Sequence, residues 1–333
     1  MANFETALGT FTARHCPSYR FPGPWGLEFN NAIVTGLKFA APLNFQIALQ
    51  RLIDLNRYLA VLIGRPQNIT DVTLVIPVAG EEHPHRLAVD WSLVRCYDYN
   101  DEQRKPHPAD VLLEPIRAKE MFAAVTTAYF ARNTIWQTAR WRYASNFEEG
   151  RSYTIDRLVS AANIFDILPD SVFGPPPELG PDVLAAQKTA KEAFKALPDS
   201  PDRASILNAL GRLGKWTLKK KIASRLPKFV TEAEDRFPEL AMVTEKAVNA
   251  RNFFVHGGQR DFDYSKYKCS LWFFVDTLEF VFAASDLGEA GWSVKAWADR
   301  SSVSHPFGGY TSEYKADLAL LKKALAEGPR SPG

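Results

Sequence analysis

PELAMVTEKAVNARNFFVHGG, residues Pro238–Gly258, contains both the body of a helix and the signal that ends it. Leu240, Val243, Ala247, Ala250 and Phe254 recur at helical spacing and form a core-facing stripe. Gly257 and Gly258 supply the left-handed residue that follows a helix, so His256 falls in the last turn. Asn252 and His256, four apart, stack on one face. Arg251 lies about 100° round the axis, but its side chain is long enough to swing to the same spot.

Outward from this helix the pattern stays helical. Helices are expected near 154–168, 182–196, 201–223, 263–285 and 311–326, with one long helix over 113–145 whose first turn tolerates Pro115. The segment 168–182 carries five prolines and two glycines, and reads as a loop or semi-rigid spacer. Before residue 111 the character changes. A strand is expected from Leu27 into Ala40, a helix from Leu43 to Leu62, and short strands at Asp71–Val78 and Arg86–Val94 joined by a turn. The class is therefore α+β, with a mixed α/β part over 1–148, an all-α bundle over 149–326 and a tail at 327–333.

A chain of 333 residues exceeds what one core usually serves, which agrees with two domains. Apolar residues make up 46% of it, enough for real cores rather than a disordered chain. The net charge is only +2, so an anionic partner must be met by a local patch. Cys16, Cys96 and Cys269 are too few and too far apart for a disulfide scaffold or a cysteine zinc site. No secretory signal opens the sequence, and the most apolar stretch, 271–284, is interrupted by Asp276 and Glu279. A cytoplasmic protein with no membrane partner and no cofactor is expected.

Arg251, Asn252 and His256 suit phosphate chemistry. An imidazole moves protons near neutral pH. A guanidinium grips a phosphate with two prongs and stabilises charge that develops on it. Asn252 can orient either group. One copy supplies a single imidazole, so two copies across a twofold axis would serve better.

The pattern R-N-x-x-x-H on a late helix resembles the HEPN superfamily, and in detail the ApeA-like HEPN proteins, where a mixed N-terminal domain precedes the HEPN helices. The segment 153–166, YTIDRLVSAANIFD, resembles the first helix of that domain and Leu271–Phe282 its closing helix. The resemblance implies a metal-independent endoribonuclease in which the RNA 2′-hydroxyl attacks the adjacent phosphate to leave a cyclic phosphate. It implies a homodimer with a composite site, a toxin or antiphage role, and Arg251, Asn252 and His256 as the site. Relatives of this type often have a longer N-terminal part, so part of the sensing domain is expected to be lacking here, and a trigger or regulator is expected to act at the N-terminal domain. The alternative is a HEPN module that binds RNA or a partner without cutting.

Other features are weighed beside this site. Between Asp202 and Glu232 no acidic residue occurs, and Lys215, Trp216, Lys219, Lys220, Lys221 and Arg225 form the candidate RNA surface. Single-stranded RNA or tRNA loops are the expected partners, because a duplex resists in-line attack. Ala131-Arg132-Asn133 repeats the tripeptide before Phe253 but has no histidine at the matching distance. Gly211-Arg-Leu-Gly214-Lys215 lacks the first glycine and the hydroxyl residue of a phosphate loop. His83 and His85 flank Pro84 in a turn, and neither they nor His107 has further ligands at metal spacing. Glu245, two turns before Arg251, is positioned to orient it.

Overall fold

The computed structural model describes residues 2–23, 26–69, 71–90, 111–115, 118–150, 152–176, 178–233, 235–299 and 305–329. Strands β1 (Ala2–Thr6), β2 (Gly9–Gly23) and β3 (Gly26–Lys38) form an antiparallel sheet in that order. The chain then enters helix α1 (Phe45–Ile63) and the hairpin β4 (Val72–Ile76) and β5 (His85–Val89). The helical part comprises α2 (Lys119–Ala131), α3 (Asn133–Glu148), α4 (Ile155–Ile167), α5 (Pro181–Lys195) and α6 (Pro201–Gly211). It continues with α7 (Leu218–Arg225), α8 (Leu240–His256), α9 (Cys269–Glu289), α10 (Val294–Ala298) and α11 (Pro306–Glu327). An α+β class with a small sheet-bearing N-terminal region and a helical C-terminal region results.

Helix α9 is the axis of the core. From Phe273 to Leu287 nearly every residue is buried, whichever face it occupies, as expected of a helix apolar all round. α4, α8, α11, α7 and α2 pack against it. α8 buries Leu240, Val243, Ala247 and Ala250, the stripe expected from its sequence, with Phe254 partly buried at its edge. The N-terminal part joins the same core through Phe4 and Phe11: Phe4 lies 4.9 Å from Phe122 of α2, and Tyr58 of α1 lies 4.5 Å from Tyr129. Position 148, the boundary read from sequence, is the last residue of α3, and α3 and α4 pack directly on each other.

Two buried ion clusters brace this core. Arg140 of α3 grips Asp286 of α9 with two prongs, Nε to Oδ2 at 2.7 Å and Nη2 to Oδ1 at 2.9 Å, and Arg157 of α4 grips Glu279 of α9 in the same way. Asp54 of α1 accepts from Gln50, Asn133, Gln137 and Trp141, so one buried carboxylate pins α1 to a stripe of α3.

Several expectations change in detail. The strands β1 and β2 were not foreseen; Pro17 and Pro22 obscure the alternation of β2. Gly9 between them has φ 131°, and an added Cβ would stand 2.4 Å from the carbonyl oxygen of Lys38, so only glycine fits there. The single helix expected over 113–145 starts at Lys119 and breaks at Arg132 (φ −92°, ψ 2°). There the guanidinium bonds the Asp286 carbonyl and Glu289 rather than facing solvent. The helix expected over 201–223 is two, separated by Gly214 at φ 79° and restarted by Thr217, whose hydroxyl caps Lys220. α9 begins at Cys269, not 263, because Asp263 Oδ1 accepts from the Ser265 and Lys266 amides and fixes a turn. The part of the Arg86–Val94 strand beyond residue 90 lies outside the described residues, as do Cys96, His107 and the last residues of the tail.

Candidate functional site

α8 ends where Gly257, at φ 71°, donates its N–H to Phe253 O at 2.9 Å. This leaves His256 exposed in the final turn, with Asn252 one turn behind it and half-buried. The half-buried Arg251 bends over both. Its Nη1 donates to Asn252 Oδ1 at 3.0 Å and lies 3.4 Å from His256 Nε2. A guanidinium only donates, so as a hydrogen bond this contact requires Nε2 to accept, which is the tautomer with the ring proton on Nδ1. Arg251 Nη2 donates to Asn163 Oδ1 of α4 at 2.9 Å. Its Nε is buried without a hydrogen-bond partner among the described residues.

The three residues read from the sequence therefore meet at one point, and a fourth, Asn163, meets them from another helix. Asn163 lies inside the segment whose likeness to a first HEPN helix is legible, but its contact spans 88 residues and leaves no local signal. Glu245 does not orient Arg251; it is ion-paired to Lys219 at 3.1 Å. Arg132 and Asn133 bind Asp286, Glu289 and Asp54 inside the fold, far from any histidine of this site in sequence. His85 pairs with Glu81 across the hairpin turn at 3.0 Å.

The basic segment divides. Lys215 is exposed, Lys220 is half-buried, and Lys219 is exposed but paired with Glu245. Trp216 is half-buried against Phe173, with its indole N–H on Gly174 O. Lys221 and Arg225 are corrections to the expected RNA surface. Lys221 is buried beside Asp170 and the carbonyls of Asp166 and Leu168. Arg225 is 1% exposed, bonded to Glu289 at 2.7 Å and to Ser285. Both point inward because Ile222 and Leu226 share their side of the chain and must reach the core. Arg225→Ala should therefore lower stability by about 1–3 kcal/mol, the loss of buried charge-assisted hydrogen bonds, since Glu289 keeps Arg132 and Lys228 as partners. Lys215→Glu, by contrast, should leave the midpoint unchanged and weaken RNA retention in a filter assay, more at low salt than at high.

Near the start of α4, Tyr153 stacks on the exposed Trp272 at 5.6 Å and donates its hydroxyl to both oxygens of Asp276, at 3.0 and 2.9 Å. Burial pushes the Asp276 carboxyl up from 3.8 to about 7, against the lowering effect of that hydroxyl. Burial raises Asp317 likewise, to about 6. A carboxyl raised in the fold contributes its full stability below the unfolded value, and that contribution is lost as pH rises through the folded value. Asp276→Asn should thus stabilise the protein by up to about 4 kcal/mol at high pH and by little near pH 4. Urea unfolding at both pH values checks this; equal destabilisation at both would contradict it.

Comparison with known proteins adds one finding. The family model of the Apea-like HEPN proteins matches residues 159–296, from within α4 through α8 and α9 into α10. No curated protein and no solved structure gives a match. At the level of that family the match carries a nuclease, RNA-related or defence role. Among the described residues no helix is long and apolar enough to cross a membrane. Residues 159–296 of this chain, which contain the R-N-x-x-x-H helix, match the Apea-like HEPN domain.

Proposed function

We propose that this protein is a metal-independent endoribonuclease that cuts RNA through Arg251 and His256. The observation that carries the reading is the convergence of Arg251, Asn252 and His256 at the open end of α8, with Arg251 within hydrogen-bond reach of both others. His256 is exposed, and when a phosphate oxygen takes over the Arg251 Nη1 hydrogen bond its Nε2 lone pair is released to take the proton of an RNA 2′-hydroxyl. The alkoxide attacks the adjacent phosphorus in line, the bond to the 5′-oxygen breaks, and a cyclic 2′,3′-phosphate remains. Arg251 holds a non-bridging phosphate oxygen as charge builds on it. The leaving 5′-oxygen needs a proton, and a second imidazole supplies it best, which is the reason for a homodimer with two copies of the site facing each other. Val255, 42% exposed beside His256, and Ile155, 44% exposed at the start of α4, offer apolar surface for that pairing.

The substrate is single-stranded RNA or a tRNA loop, and the role is that of a toxin or antiphage effector in the cytoplasm. The sheet-bearing N-terminal part serves as the place where a trigger or regulator acts. Exposed Lys215 and half-buried Lys220 are the basic residues assigned to contact with the RNA backbone. The test is to incubate full-length protein with bulk tRNA in EDTA, beside the His256→Ala variant. Cleavage by the wild type alone supports the reading. Equal cleavage by both proteins, or loss of wild-type cleavage on chelation, overturns it.

A further inference from the structure

The Arg251 side chain has to be held in place by something outside its own helix. It leaves α8 about 100° away from the face that carries Asn252 and His256, and it reaches them only by bending across the helix surface. A free arginine side chain samples many rotamers, and freezing it in one bent form costs conformational entropy. The bent form also buries Nε without a partner among the described residues, a further cost. Bonds to Asn252 and His256 come from the same helix end and move with it, so they do not fix the guanidinium relative to the rest of the bundle. The bond from Nη2 to Asn163 Oδ1, at 2.9 Å, does. Asn163 sits between the buried Ala162 and Ile164 on α4, so its backbone is anchored in the core while its amide reaches α8.

The same molecule shows what an arginine does when nothing directs it to an amide. Arg140 and Arg157 each present the Nε–Nη2 edge to a carboxylate. Arg251 has its Nη2 committed to a neutral acceptor instead, which fixes the guanidinium while leaving its charge uncompensated. That is what a group awaiting a phosphate requires.

We propose that Asn163 is a positioning residue: it locks the Arg251 guanidinium against α4, and through the Nη1 contact it keeps the proton of His256 on Nδ1, so that Nε2 carries the lone pair that serves as the base once a phosphate draws Nη1 away. This rests on the reading of Arg251 and His256 as the reactive pair. The proposal has a readout that needs no substrate. In full-length protein labelled with ¹⁵N, at about pH 8, the ring nitrogens of His256 report which one carries the proton. The His256 signals are identified by their loss in His256→Ala.

Wild type is expected to show the Nδ1–H form. Asn163→Ala should shift His256 toward the Nε2–H form with an unchanged melting temperature, and Asn163→Asp, which keeps the acceptor oxygen in place, should restore the Nδ1–H form. Against bulk tRNA in EDTA, Asn163→Ala should lower kcat about 10–100-fold and change KM far less. An Nε2–H ring in the wild type, or a ring indifferent to Asn163→Ala, overturns the proposal even if the protein cuts RNA. A wild type that cuts no RNA while its ring still depends on Asn163 overturns the ribonuclease reading and leaves the positioning role standing.

Discussion

His256→Ala is expected to lower the rate of RNA cleavage by roughly 10²–10⁴-fold, the range for losing a general base or acid. Its fold should survive. His256 is exposed in the last turn of α8, and that helix is ended by the Gly257 bond to Phe253, not by the imidazole. Surface changes away from core features shift stability by about 0.5 kcal/mol or less. Arg251→Ala should cost about as much activity as losing an oxyanion donor, roughly 10²–10³-fold. It also removes the buried, unpartnered Nε, so its stability should stay level or rise slightly. Loss of activity with retained stability in both variants separates a chemical role from a capping role. If His256→Ala instead melts early and still cuts, the histidine belongs to the helix end and not to the reaction.

The largest effect on stability is expected from Asp286→Ala. Asp286 is 2% exposed, and it accepts from Nε and Nη2 of Arg140 while Arg132 approaches at 2.9 Å. Truncation strands the Arg140 charge in the core, where it also stacks 3.4 Å over the Tyr129 ring. Breaking one side of a buried pair costs about 3–5 kcal/mol, a large share of the 5–15 kcal/mol typical of a folded domain. Replacing both partners together, Arg140→Met with Asp286→Leu, should cost much less, because no charge is then left buried. Urea unfolding of the three variants checks the order. A single Asp286→Ala change that costs under about 1 kcal/mol would contradict the account of the core.

What was legible in the sequence is what lies within one helix. The α8 stripe, its glycine end and the four-residue spacing of Asn252 and His256 all follow from 3.6 residues per turn, and the structure reproduces each. The strong apolar runs gave α1, α4 and α9 for the same reason. Contacts between distant elements were not legible. Asn163 meets Arg251 across 88 residues, and nothing in its neighbourhood marks it. Arg132 breaks a helix because of acceptors on α9, more than 150 residues away. The strands β1 and β2 pair through a register that two prolines hide. Elsewhere the sequence itself carries the signal. Lys221 and Arg225 stand beside Ile222 and Leu226 on the inward side of α7 and the turn after it, so the charge run was never one solvated face. Gly214 and Thr217 likewise mark the break between α6 and α7.

The central claim is that this protein cuts RNA by 2′-hydroxyl attack at a site made by Arg251 and His256. The chemistry of the fragment ends tests it most directly. Bulk tRNA treated with the full-length protein in EDTA should yield fragments ending in 2′,3′-cyclic phosphate with 5′-hydroxyl partners, and the His256→Ala protein should yield none. Fragments ending in 3′-hydroxyl and 5′-phosphate, or cyclic ends that persist in the His256→Ala variant, would contradict it.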